Sequence, residues 1–383
     1  DVAIVPSRRT RDPDDIDISW TLGPYRFDLP LLASAMDGVV SPATAVLTHK
    51  LGGLGVLNLE GIWTRFEDAE QQLELVSRAP KDEATALMQE IYETPVKPEL
   101  IAQRIAEIKA EGAVVCGSLT PQSVQKHHEV AIEAGLDILV VQGTVISAEH
   151  VSTTVEPLNL KEFIADVPVP TVVGGCASYS TGLHLMRTGA VGVLVGVGPG
   201  AACTTRGVLG IGVPQATAIA DVAAARSQHM LETGEYVNVI GDGGMRTGGD
   251  ISKAIACGAD AVMIGSPLAR AKEAPGRGYH WGMATFHSSL PRGTRVATSQ
   301  DGTMEEILLG PAHENDGTFN LMGALRTSMA TCGYEDIRSF QRAEVMVAPA
   351  LMSEGKKLQN EQSVGMGSNG RAAVSAGVGV ADD

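Results

Sequence analysis

The chain lacks a long apolar run, lacks paired cysteines and is short of positive charge. None of its 383 residues fall in a stretch of the ~20 consecutive apolar residues that a membrane-spanning helix requires, so no membrane partner is expected. No signal-peptide pattern is visible, although the sequence opens without methionine. The five cysteines, at 116, 176, 203, 257 and 332, are odd in number and scattered. They form no C-x-x-C and no Cys/His ligand spacing, which excludes a disulfide framework or a zinc site as the first expectation and makes a reducing cytoplasm the expected setting. Lys and Arg number 29 against 45 Asp and Glu, a net charge of −16. That balance argues against nucleic acid or an anionic membrane surface and chiefly promises solubility. A phosphorylated ligand would therefore depend on local backbone dipoles.

What is present is a large apolar fraction, 44%, and 44 glycines, enough for one sizeable core. Apolar, β-branched or small-residue runs occur at 30–36, 54–59, 113–117, 138–141, 171–173, 191–195, 237–240 and 261–264. Helical patterns lie between most of them, among them 98–111, 123–135, 179–188, 214–233 and 250–257. Eight alternating β and α units predict an α/β fold, a single (β/α)8 barrel, with chemistry at the C-terminal ends of the strands. The catalytic barrel is expected over residues 1–365. A long polar stretch after the eighth unit, about 285–318, reads as a lid. Residues 366–383 read as a flexible Gly/Ala/Ser-rich tail.

One stretch stands out: Gly196-Val197-Gly198-Pro199-Gly200-Ala201-Ala202-Cys203-Thr204-Thr205-Arg206 puts a single cysteine on a glycine-rich turn directly after the sixth β run. A thiol there is exposed and backed by backbone N–H groups that would favour its thiolate, which suits a nucleophile; taken alone, an inert small hydrophobe is the alternative, and the motifs downstream shift the balance. Asp242-Gly243-Gly244 follows the seventh run and Gly265-Ser266 the eighth, the two positions where barrels commonly bind phosphate.

These motifs, G-x-G-P-G-x-x-C-T-T-R, D-G-G-x-x-x-x-G-D-I-x-K-A-I-A-x-G-A-D-A-V-M-I-G-S and the E-A-P-G of residues 273–276, resemble the IMP dehydrogenase / GMP reductase superfamily, as does Leu32-Ala-Ser-Ala-Met-Asp37 at the first run. The likeness covers roughly residues 20 to 350 and is finest to the IMP dehydrogenase-related branch of actinobacteria and cyanobacteria. Many family members insert CBS domains after the second unit; residues 61–112 here hold only helical material, so none are expected. The resemblance implies that Cys203 adds to C2 of a purine nucleotide, with Thr205 beside it as a hydroxyl relay. It implies that Asp242 accepts the ribose hydroxyls and that Gly244, Gly265 and Ser266 cradle the 5′-phosphate. Ser34, Met36, Met283 and Ala284 would contact the nucleotide from other sides. A nicotinamide cofactor would lie along Gln142, Gly196 and Gly198, and the carbonyls of Gly198, Gly200 and Cys203 would hold a monovalent cation such as K+. A homotetramer or homo-octamer is also implied.

The departures from the family pattern divide the functional expectation. Ala201 stands where a serine is usual, Gln142-Gly143-Thr144 where an acidic residue is usual, and His280 where a tyrosine often precedes the Gly-Met pair. The Arg-Tyr pair that activates water in the dehydrogenases is missing from the expected lid. Arg292 and Arg295 are its candidate substitutes, and Asp301 or Glu305 would serve as the acid in the reverse-sense chemistry. The leading expectation is NAD-dependent oxidation of IMP to XMP. The alternatives are NADPH-dependent reduction of GMP to IMP and ammonia, or a purine nucleotide-binding homologue without turnover.

Overall fold

A computed structural model describes residues 2–146, 157–282, 295–348, 355–362 and 364–365. Its centre is a closed barrel of eight parallel strands. In chain order these are Leu31–Ala33, Leu54–Asn58, Cys116–Leu119, Ile138–Gln142, Thr171–Cys176, Gly192–Val195, Asn238–Asp242 and Ala261–Ile264. Closure comes from the eighth strand pairing with the first, in register Val262↔Leu31 and Ile264↔Ala33. The barrel thus has the topology expected from the alternation of runs and helices.

Side-chain alternation explains why the strands read as unbroken apolar runs. Leu32, Ile138, Val140, Val172, Leu194, Ile240 and Met263 pack inside the barrel. Their neighbours Leu31, Ala33, Leu139, Val141, Val173 and Val239 pack outward against the helices. With both faces buried, polar positions are few and lie mainly at strand ends, as Gln142, Asn238 and Asp242 do. Three helices, Ala69–Arg78, Ala84–Glu93 and Pro98–Ala110, occupy the interval between the second and third strands.

The N-terminal mouth is plugged. The hairpin Trp20–Leu22 and Tyr25–Phe27 sends Trp20, Leu22 and Phe27 into the inner core. Trp20 Nε1 donates to the Leu29 carbonyl at 2.8 Å, and Tyr25 Oη bonds Asp137 at 3.3 Å, just ahead of the fourth strand. Among the described residues, the C-terminal mouth is the end of the barrel left open.

A buried charge cluster fastens the last two strands at that plugged end. Asp260, with a side chain 5% exposed, accepts from Arg226 Nη1 at 2.6 Å, Val239 N at 2.8 Å and Gln341 Nε2 at 2.8 Å. Asp260→Ala leaves Arg226 buried without its counter-charge, and is expected to cost about 3–5 kcal/mol of stability. A urea midpoint within error of the parent protein would show that this cluster is dispensable.

The far half of the expected lid is built into the body. Val296–Ala297 pairs antiparallel with Tyr279–His280. Met304–Leu309 is a helix begun by a Thr303/Glu306 capping box, with Met304, Ile307 and Leu308 fully buried. The apolar positions 304, 307 and 308 have helical spacing, but six residues are too few for periodicity to stand out in a polar stretch. Residues 283–294 and the tail 366–383 lie outside the described residues.

Candidate functional site

Every element of the site hangs from a strand's C-terminal end. The loop after the sixth strand carries Cys203, the exposed thiol of the five. Cys116 and Cys176 are buried, their thiol pKa values pushed well above the ordinary range by desolvation, to about 12 for Cys176. Cys203 Sγ lies 3.2 Å from Thr205 Oγ1, a hydroxyl that is itself buried. Arg206 folds back under the loop, with Nε donating to the Val197 carbonyl at 3.1 Å and Nη2 to that of Val213. The arginine of the C-T-T-R motif is thus a brace for the cysteine turn.

That loop closes against the end of the seventh strand. Gly244 has φ +79°, and a Cβ there would stand 2.8 Å from Pro199 Cβ. At Gly196 a Cβ would collide with the Asp242 carbonyl at 2.2 Å. Gln215 ties the two strand ends together through the carbonyls of Val195 (2.6 Å) and Asp242 (3.3 Å). The glycines are therefore demanded by loop-on-loop contact as well as by turn conformation.

The structure brings Cys203, Thr205, Asp242, Gly244, Gly265 and Ser266 together around one cleft. Ser34, Met36, Gln142, Gly196, Gly198 and Gly200 also line it. Gly200 is already engaged within the turn, its carbonyl accepting from Cys203 N at 3.1 Å. Met36 Sδ sits where a Cβ on Gly265 would be, 2.6 Å away. Arg292, Met283 and Ala284 lie outside the described residues.

Two candidates are placed elsewhere. Arg295 donates to the carbonyls of Val76, Ser77 and Ala79 at the C-terminus of the 69–78 helix and lies over the Tyr279 ring, 4.2 Å from its centroid. A guanidinium at a helix C-terminus meets unpaired carbonyls and the negative end of the dipole, which holds it there. Asp301 is paired with Arg270 at 2.6 Å and takes a further bond from Ser299. Neither residue lines the cleft.

Asp242 is the half-buried carboxylate of the cleft. Desolvation raises its pKa to about 7, opposed by the hydrogen bond from Gln142 Nε2 at 3.1 Å. Gln142 Oε1 in turn accepts from Ser118 Oγ at 3.4 Å. Gln142, which replaces an expected acid, thus steadies Asp242 and adds no second negative charge beside it. Motif reading missed this link because Ser118, Gln142 and Asp242 come from three different strands.

Two further groups escaped the sequence reading. Thr120 lines the cleft after the third strand and hydrogen-bonds Glu60. Asp37 is buried, accepts from Ile62 N at 3.0 Å and from Tyr92 Oη, and Tyr92 Oη also accepts from Trp281 Nε1 at 2.7 Å. Burial lifts the Asp37 pKa to about 6 against the pull of those bonds and of Arg65. For Thr120 the only available signal was its position after a barrel strand; Asp37 closes the Leu32–Asp37 motif, but its partners Ile62 and Tyr92 lie far off in sequence.

The profile of the IMP dehydrogenase / GMP reductase domain matches residues 1–358. The chain belongs to that family. An uncharacterized oxidoreductase of Mycobacterium tuberculosis is 46% identical over 356 residues, covering 91% of this chain and 95% of that protein. The inosine-5′-monophosphate dehydrogenase of Methanocaldococcus jannaschii is 26% identical over 480 aligned positions, 91% of this chain and 92% of that one. A crystal structure of an IMP dehydrogenase/GMP reductase-like protein from Corynebacterium glutamicum superposes with a TM-score of 0.86 at 44% identity, covering 91% of this chain and 93% of that chain. The chain's length is that of a family member without CBS domains.

Proposed function

We propose that the chain is an oxidoreductase acting on a purine 5′-monophosphate, oxidising IMP to XMP with NAD through a covalent adduct on Cys203. The observation that carries this reading is the placement of an exposed thiol, 3.2 Å from a buried hydroxyl, on the same cleft as a half-buried carboxylate and two glycine strand ends. Ribose hydroxyls donate to Asp242, and the N–H groups at Gly244, Gly265 and Ser266 face the 5′-phosphate. The Cys203 thiolate adds to C2 and makes that carbon tetrahedral, so that a hydride can leave it. A nicotinamide, when bound, accepts that hydride. Gln142 and the Gly143-Thr144 turn line the adjoining wall and supply polar groups suited to its ribose. Water then hydrolyses the thioimidate, releasing XMP and the free thiol, with Thr205 placed to pass the proton.

A second reading, NADPH-dependent reduction of GMP, is favoured by the position of Arg295. Held on the 69–78 helix, that arginine does not reach Cys203 to activate water, and GMP reduction needs no such base. A monovalent cation on the loop carbonyls of Gly198, Gly200 and Cys203, and assembly as a homotetramer or homo-octamer, belong to the same proposal.

Gly244→Ala tests the phosphate assignment. A side chain at positive φ costs about 1–2 kcal/mol, and this Cβ also crowds Pro199, which lines the cleft. IMP binding should weaken roughly tenfold with inosine binding changed far less. Equal losses for nucleotide and nucleoside by calorimetry would move the phosphate site elsewhere.

A further inference from the structure

The cleft has one polar connection that the catalytic reading does not use. Ser266 lines it, and Ser266 Oγ lies 2.8 Å from His280 Nε2. The imidazole is 1% exposed, and its Nδ1 has no hydrogen-bond partner among the described residues. No Lys or Arg lines the cleft among those residues, while Asp242 does. Among the described residues, a phosphate dianion entering here meets dipoles and a carboxylate but no fixed cation.

We propose that His280 is a positioning residue that makes phosphate recognition proton-coupled: a 5′-phosphate settling on Ser266 draws a proton onto the imidazole behind it. The inference rests on the purine-nucleotide reading above. With Nε2 carrying hydrogen, the ring donates to Ser266 Oγ and leaves the hydroxyl hydrogen for a phosphate oxygen. Protonation at Nδ1 keeps that arrangement and adds a positive charge one residue behind the anion. A buried Nδ1–H without an acceptor is unfavourable by itself, so the proton is held only while the anion is there.

Among the described residues, the surroundings leave His280 as the group that can supply this charge. Burial alone lowers its pKa below the ordinary histidine value, so the empty site holds it neutral near pH 7.5. Asp37, next to the Gly38 backbone that touches His280, points to Ile62 and Tyr92. Arg295, beside the Val296 that pairs with His280, is held by the 69–78 helix and covers Tyr279. In the segment after Ser266, Arg270 is paired with Asp301, and Glu273 accepts from Met304 N. The tyrosine common in the family at this position offers one hydroxyl but gains no charge near neutrality.

Calorimetric titration of IMP and of inosine, each in two buffers of different ionisation enthalpy between pH 7 and 8.5, reads the coupling directly. Proton exchange at Asp242 is common to both ligands and cancels in the difference. In that range the phosphate is mainly dianionic, its second pKa being about 6. The parent protein should take up more protons with IMP than with inosine. Its IMP-over-inosine preference should steepen as pH falls, toward a limit of about tenfold per unit for one coupled proton. His280→Gln and His280→Tyr should bind IMP without the extra uptake. Ser266→Ala, which keeps the imidazole and cuts the link, should lose the uptake as well. Uptake unchanged in the His280 variants overturns the proposal while leaving the purine reading intact. Failure of the parent protein to bind either IMP or GMP overturns both.

Discussion

Cys203→Ala is expected to abolish both turnover and covalent capture. The other cysteines cannot substitute: Cys116 and Cys176 are buried in the core with thiols held protonated, Cys332 is buried, and Cys257 lies just past the 248–256 helix, away from the cleft. Alanine at an exposed position removes the nucleophile with little effect on the fold, so melting temperature should stay within about a degree or two. Removing a nucleophile that acts with its neighbours as a unit costs activity on the order of 10⁴-fold or more. Intact-protein mass spectrometry after treatment with a 6-chloropurine ribotide should show one adduct on the parent protein and none on the variant. An adduct of the same mass and yield on Cys203→Ala would remove this residue from the chemistry.

The second large effect belongs to Asp242. Two ribose hydroxyls donating to this half-buried carboxylate would amount to two charge-assisted hydrogen bonds, together about 3–4 kcal/mol, so Asp242→Asn should weaken inosine and IMP binding by roughly 10²–10³-fold. The parent protein also has a pH signature of definite sign. Burial raises the Asp242 pKa to about 7 in the free cleft, and hydroxyl donors favour the ionised form, so bound ribose lowers it again. Inosine affinity should then be flat above about pH 7 and fall below it, by at most about tenfold per unit. The asparagine variant should show no such slope. A parent protein whose inosine affinity holds level from pH 7.5 to 5.5 would mean that Asp242 does not accept the ribose.

The barrel was legible because its eight strands are largely buried on both faces and most are followed by a recognisable helix; the eighth is followed only by the short turn Leu268–Arg270. Ends were less legible: the third strand starts at Cys116 rather than at residue 113, and the fifth continues through Gly174-Gly175 to Cys176. Glycine and alanine carry little strand preference, so the ladder set those limits. In the site, residues on contiguous motifs were found, Cys203, Thr205, Asp242, Gly265 and Ser266 among them. What could not be read was pairing across strands: Gln142 with Asp242, Asp37 with Tyr92, and Ser266 with His280. The same limit applies to Arg295 and Asp301, whose residue types suit catalysis but whose partners, helix-end carbonyls and Arg270, occupy them outside the cleft.

The central claim is that this cleft oxidises a purine nucleotide at C2. A spectrophotometric assay at 340 nm, crossing IMP and GMP with NAD and NADPH, tests it most directly. IMP with NAD should give NADH, dependent on Cys203. NADPH consumption with GMP and no NADH from IMP would contradict the claimed direction and install the reductase. Tight calorimetric binding of IMP with no change in absorbance under any pairing would contradict the claim of turnover altogether.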